Sequence, residues 1–293
     1  MSDVLTLEGV SKTYAGSNFS LKNVSFSLPA GCIMGLIGAN DSGKSTTIGC
    51  ILGALQPDRG SIQVLGCAMD DGVANLRDAV GTIYDSDHFP GHLTARQMAV
   101  ILRELYSRWD DALYDALLKQ FAIDPEKKIN TYSKSMTMTL AIIVALAHRP
   151  ELLIFDEVLS ELDTLAREKA IALFQEFVKD GRHAILLSSH FIGDVEHIAD
   201  ILIFLHEGQV LLCEEKAVLH EQYGVLRCCE ERFSELDTDD IIVYRREDSQ
   251  IQVLVSDVQM AQERYPEATI DHIGLDDIMN LLMQGERYQK ESA

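Results

Sequence analysis

The sequence predicts an α/β protein: a mixed or parallel sheet flanked by helices, with an N-terminal antiparallel β subdomain, a helical arm and a small α+β C-terminal domain. Three observations predict it. Short, continuously apolar runs that read as buried strands recur at 32–37, 152–155, 184–187 and 201–205, and helical spacing separates them. Residues 3–28 alternate apolar and polar side chains, the period of half-exposed strands. Near Tyr223-Gly224 the pattern changes to shorter strands and one final helix.

In chain order, Val4, Leu5, Leu7 and Val10, then Leu21, Val24, Phe26 and Leu28, form two strands joined by the turn residues Gly16, Ser17 and Asn18. The buried strand at 32–37 runs into glycines and then a helix from about Lys44 to Leu55. Residues 61–65 and 80–84 read as further strands, and 94–122 and 135–147 carry helical spacing with Pro125 and Asn130 between them. Helices near 164–179 and 191–199 separate the last three buried strands. Strands at 241–246 and 250–255 meet at Glu247-Asp248-Ser249, and Leu275, Ile278, Met279 and Leu282 mark the closing helix. The expected domains are 1–222, with its helical subdomain at about 86–148, and 223–293.

A chain of 293 residues, 47% apolar, can bury a substantial core without disulfides. Its six cysteines show no CxxC or Cys/His ligand spacing, which fits reduced thiols in a cytosolic protein. No segment reaches the roughly 18 uninterrupted apolar residues of a membrane span, and the N-terminus lacks a basic start followed by an apolar stretch. The expectation is a protein neither secreted nor membrane-spanning by itself. A net charge of −21 would repel a phosphate backbone, so nucleic acid is not expected as a main partner.

Gly38-Ala39-Asn40-Asp41-Ser42-Gly43-Lys44-Ser45 matches the phosphate-loop pattern G-x-x-x-x-G-K-[ST], between a buried strand and a helix as the chemistry requires. The glycines let successive N–H groups point at phosphate oxygens, and the helix N-terminus adds partial positive charge. Lys44 would reach the β- and γ-phosphates, Ser45 would place its hydroxyl on Mg²⁺, and Thr46 would contact the nearer phosphates. The apolar strand Leu152-Leu153-Ile154-Phe155 ends in Asp156-Glu157. Asp156 is placed to hold Mg²⁺ through its water shell, and Glu157 to polarise a water for in-line attack on the γ-phosphate. Together these motifs predict a P-loop NTPase core that binds and hydrolyses ATP.

Three further segments stand in order around that strand: Tyr132-Ser133-Lys134-Ser135-Met136, Ser160-Glu161-Leu162-Asp163 and Ser188-Ser189-His190. With the phosphate loop and the acid pair, this order resembles the nucleotide-binding subunit of an ATP-binding-cassette (ABC) transporter, over residues 4 to about 220. The resemblance implies that Tyr14 stacks on adenine and that Ser133, Lys134 and Ser135 lie in the signature segment, which closes on the γ-phosphate of the opposite subunit's ATP. It also implies that Asp163 contacts the second subunit and that His190 holds the γ-phosphate and helps orient water and Glu157. From the residues alone, Tyr14 reads as a packing or edge aromatic, His190 could be a structural histidine after a buried strand, and Ser133 the N-cap of a polar helix start.

The chain departs from the family at several places. The signature usually reads Leu-Ser-Gly-Gly-Gln; Lys134 and Met136 resemble an exporter subgroup. Ser135 replaces the remaining glycine, putting a side chain where backbone approaches phosphate, which would weaken or slow closure. Asp85 stands where the family has a magnesium-sensing glutamine, and as a carboxylate it could still hold a metal-bound water. The segment from Asp85 to Phe121, with His88, Phe89, Pro90 and His92 near its start, is expected to grip a membrane subunit. The resemblance thus implies an exporter motor with ATP and Mg²⁺ as cofactors, a second nucleotide-binding subunit and separately encoded integral membrane subunits as partners, and a cytoplasmic location against the inner face of the cell membrane. An importer motor, a soluble switch ATPase and a simple P-loop kinase are the other readings. The C-terminal domain could serve as ligand sensor, dimer prop or stabilising cap.

Overall fold

The computed structural model describes residues 3–16, 18–69, 76, 78–84, 89–247 and 250–286. The chain divides into two compact units, Met1–Cys213 and Glu214–Ala293. The division falls within the strand Gln209–Glu215, ahead of the boundary at 222/223 expected from the sequence. The stretch 214–222 carries no glycine or proline to mark a change of unit, so sequence punctuation appears only at Gly224.

In the first unit, β1 (Asp3–Thr13) and β2 (Ser20–Pro29) pair antiparallel, with Leu5 opposite Leu28 and Val10 opposite Val24. After β3 (Ile33–Ile37) and α1 (Lys44–Ile51), the chain returns to this sheet with β4 (Arg59–Val64) and β5 (Cys67–Ala68), in the order β2-β1-β4-β5. Helix α1 stops at Ile51, short of the expected Leu55. Gly53, at φ +69°, turns the chain there, and Leu55 N–H donates to Gly49 O at 3.0 Å.

Next come β6 (Val80–Ile83) and the helical arm of α2 (Ala95–Leu105), α3 (Asp111–Gln120) and α4 (Lys134–Ala147). The spacing over 94–122 therefore covers two helices. Asp110 separates them: its carboxylate accepts Leu113 N–H at 2.8 Å as the N-cap of α3, and its own N–H donates to Ala147 O at 2.8 Å. Helix α2 opens on a capping box between Thr94 and Gln97.

The second half of the unit runs β7 (Leu152–Phe155), α5 (Thr164–Val178), β8 (Ala184–Ser189), α6 (Ile192–Val195), β9 (Ile201–His206) and β10 (Gln209–Glu215). The helix expected over 191–199 is only the four-residue α6 followed by turns, because Asp200 accepts Ile33 N–H at 2.8 Å and draws the chain into β9. The central sheet has the order β10-β9-β3-β8-β7-β6, with parallel pairing from β9 through β6. Strand β10 follows β9 through Glu207-Gly208, both at positive φ, a two-residue turn that allows only an antiparallel return. The sheet is therefore mixed. Strands β3, β7 and β8 are buried along their whole length, which is why they read as unbroken apolar runs. One core joins both sheets: Leu5, Leu7 and Val24 belong to it with Leu36, Ile48, Ile154, Leu186 and Ile203.

The second unit contains α7 (Lys216–Gln222), β11 (Gly224–Cys228), α8 (Glu230–Phe233), β12 (Val243–Glu247), β13 (Gln250–Val255), α9 (Val258–Arg264), β14 (Thr269–His272) and α10 (Leu275–Gln284). Its sheet, β12-β13-β11-β14, is antiparallel throughout, the arrangement of a split β-α-β fold. Leu226, Phe233, Val253 and Val258 form its core. Helix α10 buries Leu275, Ile278, Leu281 and Leu282, so Leu281 takes the place expected for Met279, which is half-buried. Of the expected turn, Asp248 and Ser249 lie outside the described residues.

Candidate functional site

The site grows from the C-terminal ends of the parallel strands, where an open α/β sheet leaves a crevice. Ile37 pairs with Ser189 of β8, and Gly38 N–H continues that ladder to Ser189 O at 3.3 Å. Gly38 has no room for a side chain: a Cβ there would lie 2.3 Å from Leu205 O and 2.4 Å from Ser42 Oγ. Gly43 turns the loop into α1 at φ +110°, a conformation side chains resist.

Lys44 follows, only 5% exposed, and its ammonium donates to Gly38 O at 2.8 Å and Ala39 O at 3.1 Å across the loop. Ala39, Asn40, Asp41 and Ser45 are exposed on the same turn, and Gly43 at the N-cap of α1 offers no side chain to its first amides. Ser42 Oγ is buried and has no hydrogen-bond partner among the described residues. Tyr14 OH and Thr46 Oγ1 lie 3.2 Å apart, and Phe19 stands 6.4 Å from the Tyr14 ring, centroid to centroid.

Opposite the loop, Phe155 of β7 pairs with Leu187 of β8, which sets Asp156 and Glu157 beside Ser188. Ser188 Oγ donates to Asp156 Oδ1 and accepts Glu157 N–H at 2.9 Å. Glu157 sits at φ +54°, a left-handed conformation that costs a non-glycine residue about 1 kcal/mol. Its carboxylate links two elements: Oε1 is 3.2 Å from Lys44 Nζ, and Oε2 accepts His190 Nδ1–H at 2.7 Å and His190 N–H at 3.3 Å. A carboxylate only accepts, so Nδ1 carries the proton in this contact. His190 is braced from behind, since Ser189 Oγ donates to buried Asp194 at 3.1 Å and Arg167 pairs with Asp194 at 3.0 Å.

Tyr14, Asn40, Asp41, Lys44, Ser45, Thr46, Glu157 and His190 line one cleft of about 720 Å³, and Asp156 adjoins it as the neighbour of Glu157 without itself lining it. Its donors, a lysine ammonium and backbone amides at a helix start, suit a polyphosphate, and the Ser45 hydroxyl and Asp156 carboxylate are the hard oxygen donors that Mg²⁺ takes.

Ser133, Lys134, Ser135 and Asp163 do not line this cleft and form a second group. Ser133 is the N-cap of α4 and accepts Met136 N–H at 3.1 Å. Asp163 is the N-cap of α5 and accepts Ala166 N–H at 3.0 Å. The Ser135 hydroxyl and then the Ala166 N–H hold the Asp163 carboxyl below the usual carboxylate range. Lys134 Nζ meets Glu161 Oε2 at 2.5 Å, and Glu161 itself lines the cleft, so it touches both groups. Asp85 and His88 lie outside the described residues.

Sequence reading gave Ser188, Ser160, Glu161 and Phe19 no individual role. Ser188 had a signal: a hydroxyl in a buried strand must find a partner, and here the partners are the Asp156 carboxylate and the Glu157 N–H.

Comparison with known proteins identifies the family. Residues 21–160 match the family described as ABC transporter. The chain is 30% identical over 213 residues to the bacitracin transport ATP-binding protein of Bacillus licheniformis, covering 72% of this chain and 69% of that one. It is 29% identical over 229 residues to the linearmycin resistance ATP-binding protein of Bacillus subtilis, covering 75% and 72%. A solved ATP-binding subunit of an ABC transporter superimposes with a TM-score of 0.68 at 29% identity, over 74% of this chain and 92% of that one.

Proposed function

Because the chain belongs to the ABC transporter family, we propose that it is the ATP-hydrolysing, energy-coupling subunit of an exporter whose membrane-spanning subunits are separate chains. The observation that carries the chemistry is the Glu157 carboxylate, placed between the phosphate-loop lysine and His190.

The exposed turn 39–41 and the first amides of α1 would wrap the phosphates of ATP, whose oxygens compete with Glu157 for the Lys44 ammonium. Ser45 and Asp156 would hold Mg²⁺, which when bound neutralises charge developing on the β- and γ-phosphates. Tyr14 lines the same cleft as Glu157, and its ring would stack on adenine. Released from Lys44, Glu157 would accept a proton from the water as its oxygen bonds to the γ-phosphorus and ADP leaves, while His190, held through Nδ1–H, would donate Nε2–H to the γ-phosphate when both ring nitrogens carry protons. Ser188 would keep Asp156 and Glu157 in register. Ser188→Ala is expected to lower kcat about tenfold and to raise the Mg²⁺ concentration for half-maximal rate, since it frees one acid and strands the N–H of the other. A titration of rate against Mg²⁺ checks this; an unchanged profile removes Ser188 from the scheme.

The signature segment at the start of α4 and Asp163 would face a second copy or a related subunit, so ATP would join two subunits and hydrolysis would release them. The arm ahead of α4 would receive the membrane subunit. Among the described residues no helix is long and apolar enough to cross a membrane. Docking on membrane subunits would hold the chain peripherally, at the cytoplasmic face. Lys134 and Met136 in the signature favour export, and relatives named for bacitracin transport and linearmycin resistance support it.

The partner is testable with a tagged Glu157→Gln chain purified from its native host in ATP and mild detergent. Mass spectrometry is expected to find a multi-span membrane protein, whose class separates exporter from importer. Only soluble partners, with membrane proteins demonstrably extracted, would overturn the transporter reading and favour a soluble switch.

A further inference from the structure

Two side-chain links join the N-terminus of α4 to the loop 157–163, and hydrolysis as described requires neither. Ser135 Oγ donates to Asp163 Oδ2 at 2.6 Å and accepts Asp163 N–H at 3.0 Å. Lys134 pairs with Glu161 at 2.5 Å. Both links use residues that depart from the family's signature. Asp163 already spends its other carboxylate oxygen on Ala166 N–H, so Ser135 grips the residue where the loop ends and α5 begins.

At the loop's other end, Ser160 Oγ donates to Glu157 O at 2.7 Å, and Glu157 holds its left-handed backbone there. Between the ends, Val158, Leu159 and Leu162 are buried at 1%, 3% and 6% exposure. A close-packed segment anchored at both ends passes a displacement along instead of absorbing it.

We propose that Ser135 is a positioning residue for turnover, its hydroxyl tying the start of α4 to the loop that carries Glu157, so that phosphate contact at α4 and placement of the base are set together. The proposal rests on the reading above, in which the start of α4 closes on nucleotide held by a second copy. It reverses the sign expected from sterics alone: if the side chain at 135 only obstructs approach to phosphate, glycine there speeds turnover.

The test uses the full chain with Ser135→Ala, Ser135→Gly and Ser135→Thr. Removing the hydroxyl is expected to lower kcat about fivefold in both the alanine and glycine variants, the factor of one modest hydrogen bond. Threonine, which keeps the hydroxyl, keeps the rate. Amide hydrogen exchange is the second readout: the Asp163 N–H loses protection in the alanine and glycine variants and keeps it in threonine. A glycine variant as fast as or faster than the unaltered chain, or an unchanged Asp163 amide, overturns the proposal and leaves the ATPase reading standing. An unaltered chain that fails to hydrolyse ATP overturns both.

Discussion

Lys44→Ala loses ATP binding. The ammonium is nearly buried, held over the loop by two carbonyls and set 3.2 Å from Glu157, so it is already oriented and largely desolvated before phosphate arrives. Preorganisation of this kind makes a charge-assisted contact strong, because little side-chain entropy remains to be lost. Two phosphate contacts removed together cost at least about 3 kcal/mol, on the order of a hundredfold in Kd. The same substitution frees Glu157 from its cation and leaves the Gly38 and Ala39 carbonyls to water entering the space the side chain vacates, a local change that should leave the fold intact. Titration calorimetry with ATP, beside a far-UV spectrum to confirm folding, checks it. Unchanged affinity in a folded variant would sink the phosphate-loop assignment.

Glu157→Gln separates binding from turnover. The amide is isosteric, keeps an oxygen that can accept His190 Nδ1–H, and leaves the backbone at φ +54° with its N–H on Ser188. What it lacks is basicity. Loss of a positioned general base lowers kcat by about 10²–10⁴-fold, while ATP affinity holds or rises, because phosphate no longer displaces a carboxylate from Lys44. Bound ATP that is not consumed should then keep two copies together, seen as an ATP-dependent dimer by light scattering. Single-turnover hydrolysis at the normal rate would remove Glu157 from the role of base.

The site was legible in the sequence wherever its chemistry is contiguous. A buried strand, a glycine turn and a helix occupy neighbouring residues, so Gly38 to Thr46 could be read as a phosphate cradle. The acids at the end of 152–155 could be read in the same way. Boundaries were less legible. The spacing over 94–122 is that of two helices because a cap at Asp110, bonded to Ala147, interrupts it, and spacing does not register a cap fixed by a distant carbonyl. In the second unit, β11 and β14 went unread, since their strand character comes from pairing with each other and with β13 and leaves only a short apolar signature.

By itself the sequence determined the α/β class, the phosphate loop, the acid pair and the order of motifs, because each depends on local period or on adjacent residues. Tertiary structure alone decided which side chains meet. Ser188 reaches Asp156 and Glu157 because β7 and β8 pair Phe155 with Leu187, and His190 reaches Glu157 from 33 residues away through the same register. Ser135 meets Asp163 because the caps of α4 and α5 fall side by side. Register across a parallel sheet and packing of helix ends are set by the whole core, and no window of sequence contains them.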